Sequence, residues 1–156
     1  MPRRTSSTLT GVKVYLDVCC LKQPFDSQEQ ALVRLEAEAV MTILSLECAD
    51  IVPVRMPAQL LENSLNPVRW RRDAVDLWLR QGVIEPVAEQ TLASRVSDLI
   101  GMGFKNFDAP HLASAEAVGA EVLLTVDGRF LRKAQARAAD LRVRVVSPIT
   151  LVQEVA

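Results

Sequence analysis

The chain has 156 residues, of which 49% are hydrophobic and 24% charged, with a formal net charge of -1. That length allows one domain with a buried core, and the composition is globular rather than disordered or fibrous. The near-neutral charge excludes a generic nucleic-acid coat protein, so any phosphate-binding surface must be local.

No apolar run approaches the roughly 18 residues that a transmembrane helix needs. The polar stretch Met1-Pro-Arg-Arg-Thr-Ser-Ser-Thr lacks the apolar core of a signal peptide. The expected address is the cytoplasm, with no membrane partner. Three cysteines, Cys19, Cys20 and Cys48, are an odd number with two adjacent, which suits a reducing compartment. With His111 the single histidine, no recognised zinc spacing is present.

In chain order, residues 1 to 11 read as a flexible polar tail with Arg3 and Arg4, and 12 to 156 as a single domain. Val12 to Val18 is a β-rich segment in which Asp17 is the only acid; Asp17 either starts a turn or points into a polar site at the strand's end. After the Pro24-Phe25-Asp26 loop, Ser27 to Gln30 has capping-box form. It opens a helix with a stripe of Leu32, Leu35, Ala39, Val40, Ile43 and Leu44. Ile51 to Val54 predicts a second strand, and Pro57 the start of a helix toward Asn66-Pro67 that includes Glu62. A further helix runs from Val68 to Gln81, with Trp70 and Trp78 as core or interface anchors and Arg69, Arg71 and Arg72 facing solvent.

Val83 to Val87 reads as a short edge strand because of Pro86, and Thr91 to Met102 as an amphipathic helix broken at Gly101-Met-Gly103. Asp108 is the expected N-cap of the next helix, with Pro110 in its first turn and Gly119 at its end. Val122 to Val126 is an apolar run expected as a strand buried on both faces, followed at once by Asp127-Gly128. A helix over 128 to 139 carries an apolar stripe at Phe130, Leu131, Ala134 and Ala138, with Arg129, Lys133 and Arg137 on another face. Val143 to Val146 is the last strand, before a terminal helix capped by Ser147-Pro148. Strands alternating with helices predict an α/β fold, a three-layer α/β/α sandwich around a mainly parallel sheet.

In such a sheet Asp17, Asp108 and Asp127 all fall at one edge, where ligand sites of open α/β sheets lie. Converging carboxylates raise one another's pKa, and a hard divalent cation with oxygen ligands, Mg2+ or Mn2+, makes them tolerable. Such a cation can activate a water and hold a phosphodiester.

The segments Val14-Tyr-Leu-Asp-Val-Cys-Cys-Leu21 with Pro24-Phe25-Asp26, Asp108-Ala-Pro-His-Leu-Ala113, and Leu123-Leu-Thr-Val-Asp127 resemble, in order and separation, motifs of the PIN domain ribonucleases. That family includes the VapC-type toxins of toxin-antitoxin pairs, and the opening is similar to a subgroup with paired cysteines. The resemblance implies a PIN-like fold and a catalytic set of Asp17, Glu62, Asp108 and Asp127. Asp17, Asp108 and Asp127 would be the metal ligands, Glu62 would hold or orient the attacking water, and Thr125 would support the site. It further implies hydrolysis of RNA to a 5′ phosphate and a 3′ hydroxyl, a homodimer, and an antitoxin partner whose tail fills the active-site groove.

The chain departs from the family's pattern at four places, one of them Pro110 after Asp108, which is uncommon there but acceptable in a first helical turn. Cys19 stands where many members have a small polar side chain, Lys22 where the subgroup often has asparagine, and Arg55-Met56 where serine is more typical.

Arg129 and Lys133 are candidate contacts to the RNA backbone, against the plain alternative of a solvated helix face. His111 is expected to pack and hydrogen-bond structurally rather than to act as a general base. Two other functions compete with a nuclease. One is a catalytically silent PIN scaffold that binds RNA or protein. The other is a receiver-type phosphoacceptor domain, disfavoured because no lysine follows Lys133.

Overall fold

The computed structural model of the chain describes residues 11–45 and 51–155, so Arg3, Arg4 and Cys48 lie outside it. Four parallel strands form one sheet in the order β2-β1-β3-β4: β1 (Val12–Leu16), β2 (Ile51–Pro53), β3 (Val122–Leu124) and β4 (Arg144–Val146). Alternate residues serve opposite faces, as a period of two requires. Val14, Leu16, Val122, Leu124 and Val146 enter one core with Val40, Ile43, Leu79 and Leu151. Tyr15, Leu123 and Val145 enter the other, with Leu99, Leu112 and Phe130. Both faces are therefore dry, which is why the strands read as continuous apolar runs, and the fold is the expected α/β/α sandwich.

Helices α1 (Val18–Lys22), α2 (Ala31–Ser45), α3 (Pro57–Ser64), α4 (Arg69–Leu79), α5 (Glu89–Gly101), α6 (Asp108–Ala117), α7 (Gly128–Ala136) and α8 (Pro148–Val155) supply the outer layers. The crossover through α2 leads from β1 out to β2, and the crossover through α7 leads from β3 out to β4. The chain thus leaves the centre of the sheet in opposite directions. The gap at the carboxyl ends of β1 and β3 is the resulting topological switch point.

Several elements differ from the expectations. The first strand stops at Leu16 and Val18 opens α1, a short helix hidden in the sequence by its apolar run. Helix α2 begins at Ala31. Gln28 closes the preceding turn by donating to the carbonyls of Gln23 and Asp26. Only part of the α2 stripe is covered: Ala39, Val40 and Ile43 are buried, whereas Leu32 and Leu35 are 59% and 55% exposed.

Val83 to Val87 is no strand, contributing only an isolated parallel bridge from Ile84 to Arg55. The expected helix over 128 to 139 ends at Ala136 and tightens into a 3-10 turn, Ala138–Asp140. The two tryptophans part company: Trp78 packs partly buried beneath the Arg55 guanidinium, 4.0 Å from the ring centre, while Trp70 is 58% exposed and meets Phe25 edge-on.

Candidate active site

Asp17 follows β1 directly, and its backbone N–H donates to the Leu124 carbonyl at 2.9 Å, continuing the β1–β3 ladder by one residue. This places a 5%-exposed carboxylate at the switch point. Its Oδ2 accepts hydrogen bonds from the Thr125 hydroxyl at 2.9 Å and the Cys19 thiol at 3.2 Å. The thiol does there what a small hydroxyl side chain could do, so the departure at Cys19 leaves the support of Asp17 intact. Thr125 is fully buried and its oxygen also accepts the backbone N–H of Asp127 at 3.1 Å, tying the ends of β1 and β3 together. If Asp17 holds a divalent cation, Thr125→Val, close in shape, is expected to weaken Mn2+ binding by about 10–100-fold, the usual range when a ligand loses its supporting partner. Calorimetry on the two proteins measures it, and equal affinities would mean that the hydroxyl serves folding alone.

Glu62 reaches the same place from α3. That helix is pinned by Gln59, whose buried side chain accepts the Met56 N–H at 2.8 Å and donates to the Leu16 carbonyl at 2.7 Å. Gln59 supplies the return half of a capping box without its partner, because methionine at the N-cap has no side-chain oxygen to cap with and the Gln59 N–H donates to the Met56 backbone carbonyl at 3.1 Å instead.

Asp108 was expected to cap α6, but it is the helix's first residue and Phe107 takes the cap position without a side-chain bond. Its carboxylate is thereby left to the cleft instead of being consumed by backbone N–H groups. Asp127 is the residue that caps: its Oδ1 accepts from the N–H groups of Arg129 at 3.0 Å and Phe130 at 3.3 Å at the start of α7. The cap employs Oδ1, and no hydrogen bond to Oδ2 occurs among the described residues.

Asp17, Glu62, Asp108 and Asp127 together line one open cleft of about 360 Å³, rimmed by Lys22, Leu65, Asn66, Pro67 and Phe107. Asp17 is pushed above the usual carboxylate range by burial, which His111 opposes and Glu62 reinforces. Asp108 is raised to about 6 by burial, then by Asp17 and Asp127.

A carboxyl whose pKa is higher in the folded chain holds a proton there that the unfolded chain releases. The contribution of Asp108 to stability therefore falls as pH rises from about 4 through about 6, and is lost above. The expected result is a cation-free protein whose Tm declines across this window, with a shallower decline in Asp108→Asn, as thermal scans in EDTA would record.

His111 is 1% exposed and its Nδ1 lies 2.5 Å from the Tyr15 hydroxyl, in keeping with a structural imidazole. Its other nitrogen was not anticipated. Nε2 faces Glu62 Oε2 at 3.4 Å and Asp17 Oδ1 at 3.7 Å, and among the described residues it has no hydrogen-bond partner. Burial lowers the ring's pKa, but Glu62, Asp17 and Asp108 outweigh it and the net shift is upward. A helical histidine three residues after an acid was the available signal, masked by the apolar residues around it.

The basic residues divide. Arg129 and Lys133 flank a small hollow of about 190 Å³ that also contains Asp108, Lys105 and Gly103. Gly103 has φ +100, and a Cβ there would meet the Lys133 ammonium at 2.6 Å, so the lysine rests on glycine backbone. Arg137 turns away to Asp140 at 3.5 Å. Lys22 lines the acid cleft, whereas Arg55 does not: its Nε donates to the Trp78 carbonyl at 3.0 Å and it is 8% exposed. The departure at Arg55 therefore concerns packing.

The donor set fits a hard divalent cation. Oxygens dominate it, and two of the carboxyls are held above their ordinary pKa. Ligand atoms of Asp17, Glu62 and His111 all lie within 4.8 Å of one another. Fold and cleft together define an α/β/α protein of PIN-like architecture with an acidic site at the sheet's switch point.

A chain in the solved structure of VapBC-1 from nontypeable Haemophilus influenzae has this fold, with a TM-score of 0.57 over 88% of this chain and 98% of that one, at 11% sequence identity. No family model matches the sequence, and no curated protein does. No described helix is long and apolar enough to cross a membrane.

Proposed function

We propose that the chain is a metal-dependent endoribonuclease of PIN type, the toxin of a type II toxin-antitoxin pair. The observation that carries this is the meeting of four carboxylates from four separate elements in one open cleft, with Asp17 buried at its floor. Asp17 and Asp108 would hold Mg2+ or Mn2+, with Asp127 completing the set through its uncapped oxygen. When bound, the cation supplies a Lewis acid that activates water and neutralises phosphodiester charge. Glu62, only 26% exposed at its side chain and facing that position, would orient the attacking water and accept its proton. Thr125 fixes the direction of Asp17, and Arg129 and Lys133 would steer the RNA backbone past Asp108.

The same reading places the opening motif in the paired-cysteine subgroup and the protein in the cytoplasm as a homodimer. The rim of Leu65 and Phe107, 61% and 42% exposed, offers an antitoxin tail apolar surface beside the acids. The testing experiment incubates end-labelled RNA with Mn2+ and either wild type or Asp108→Asn. Cleavage by wild type alone, ending in 5′ phosphate and 3′ hydroxyl and stopped by EDTA, is expected. Cation binding without cleavage would favour a silent scaffold, and neither binding nor cleavage would overturn the proposal. Growth arrest on expression, relieved by the product of the adjacent reading frame, tests the toxin half separately.

A further inference from the structure

Behind the acids lie two enclosed polar side chains, Tyr15 and His111, 0% and 1% exposed. They arrive from different elements, β1 and α6, with the rings edge-on and their centres 5.5 Å apart. The Tyr15 hydroxyl meets His111 Nδ1, and among the described residues it has no other partner. A buried hydroxyl with a single neighbour is satisfied by giving that neighbour its proton. Nδ1 is then the acceptor, and the ring's own proton is on Nε2, the nitrogen that looks toward Glu62 at 3.4 Å and Asp17 at 3.7 Å.

We infer that His111 is a positioning residue rather than a cation ligand: Tyr15 holds it in the Nε2-protonated form, so that it donates toward Glu62 and Asp17 and keeps both carboxylates aimed into the cleft. Direct ligation would require a bare Nε2. The proton would move to Nδ1, and the Tyr15 hydroxyl would be left with a proton and no acceptor in a site without water access. Hard cations also favour the four carboxylates over a nitrogen. The orphaned Nε2 is accounted for on this basis, because a small shift of the Glu62 side chain brings its oxygen into line. The role toward the cation rests on the nuclease reading; the tautomer does not.

His111 is the only histidine, so a long-range proton–nitrogen spectrum reports one ring. In alkaline buffer, where a neutral imidazole is expected, the proton should sit on Nε2 and stay there on saturation with Mg2+. Tyr15→Phe should yield a mixture of tautomers and weaken Mn2+ binding by about 10-fold. His111→Gln, which keeps an N–H, should bind Mn2+ more tightly than His111→Leu. In the neutral ring, a proton on Nδ1 of the cation-free protein, or its loss from Nε2 when Mg2+ is added, would overturn the inference. So would a single unchanged tautomer in Tyr15→Phe. If the nuclease reading fails instead, neither Mg2+ binding nor RNA cleavage is seen while the wild-type spectrum still shows Nε2–H.

Discussion

Asp17→Asn is expected to abolish divalent-cation binding and to reduce RNA cleavage by about 10³-fold or more, beyond the 10²–10³ typical of losing one stabilising hydrogen-bond donor. The expectation follows from placement. Asp17 is the most buried of the four carboxylates, and its orientation is fixed from two sides by Thr125 and Cys19. An amide in the same shape keeps an oxygen for the Thr125 hydroxyl while removing the charge. Without cation the variant should be the more stable protein, because a buried carboxylate already pushed above its usual pKa no longer has to ionise beside Glu62. Each kcal/mol relieved raises Tm by about 2–4 °C in a chain of this size. Calorimetric titration with Mn2+, cleavage rates and thermal scans in EDTA give the three readouts. Undiminished cleavage would remove Asp17 from the chemistry.

Gln59→Ala is expected to produce the largest loss of stability among single changes near the cleft. Its amide satisfies two backbone groups at once, the Met56 N–H and the Leu16 carbonyl, from a position with no exposure. Leaving buried partners unsatisfied costs about 1–3 kcal/mol each, so a total of about 2–6 kcal/mol and a Tm lowered by about 4–24 °C are expected. The loss should extend to function, since Glu62 lies one helical turn beyond Gln59 and Leu16 immediately precedes Asp17. Denaturant titration measures the first effect, and Mn2+ affinity at low temperature, where the variant is still folded, measures the second. A variant as stable as wild type would show that water can replace the amide.

The architecture was legible because parallel strands buried on both faces write themselves as short apolar runs, and Leu123 and its neighbours end at an acid. Converging acids could be inferred from topology before any distance was known. What stayed hidden was of two kinds. Helical periodicity shows which residues share a stripe but not whether anything covers it, and Leu32 and Leu35 remain open while Ala39 and Val40 are buried. Bonds between a side chain and distant backbone leave no local pattern, as with Gln59 reaching Leu16 across 43 positions. His111 fell between the two: its burial could be read from the apolar residues beside it, but not the carboxylates behind its second nitrogen. Asp108 and Asp127 exchanged one expectation, since the capping role assigned to the first belongs to the second.

The hydrogen bond joining Asp17 to Thr125 spans 108 positions of chain. During synthesis the leading strand must therefore wait for almost the entire polypeptide before its acid acquires the neighbours that shape the cleft. A ribosome carrying an incomplete copy would hold a chain whose Asp17 lacks this partner, and premature termination before Thr125 would release fragments in which the cleft cannot form.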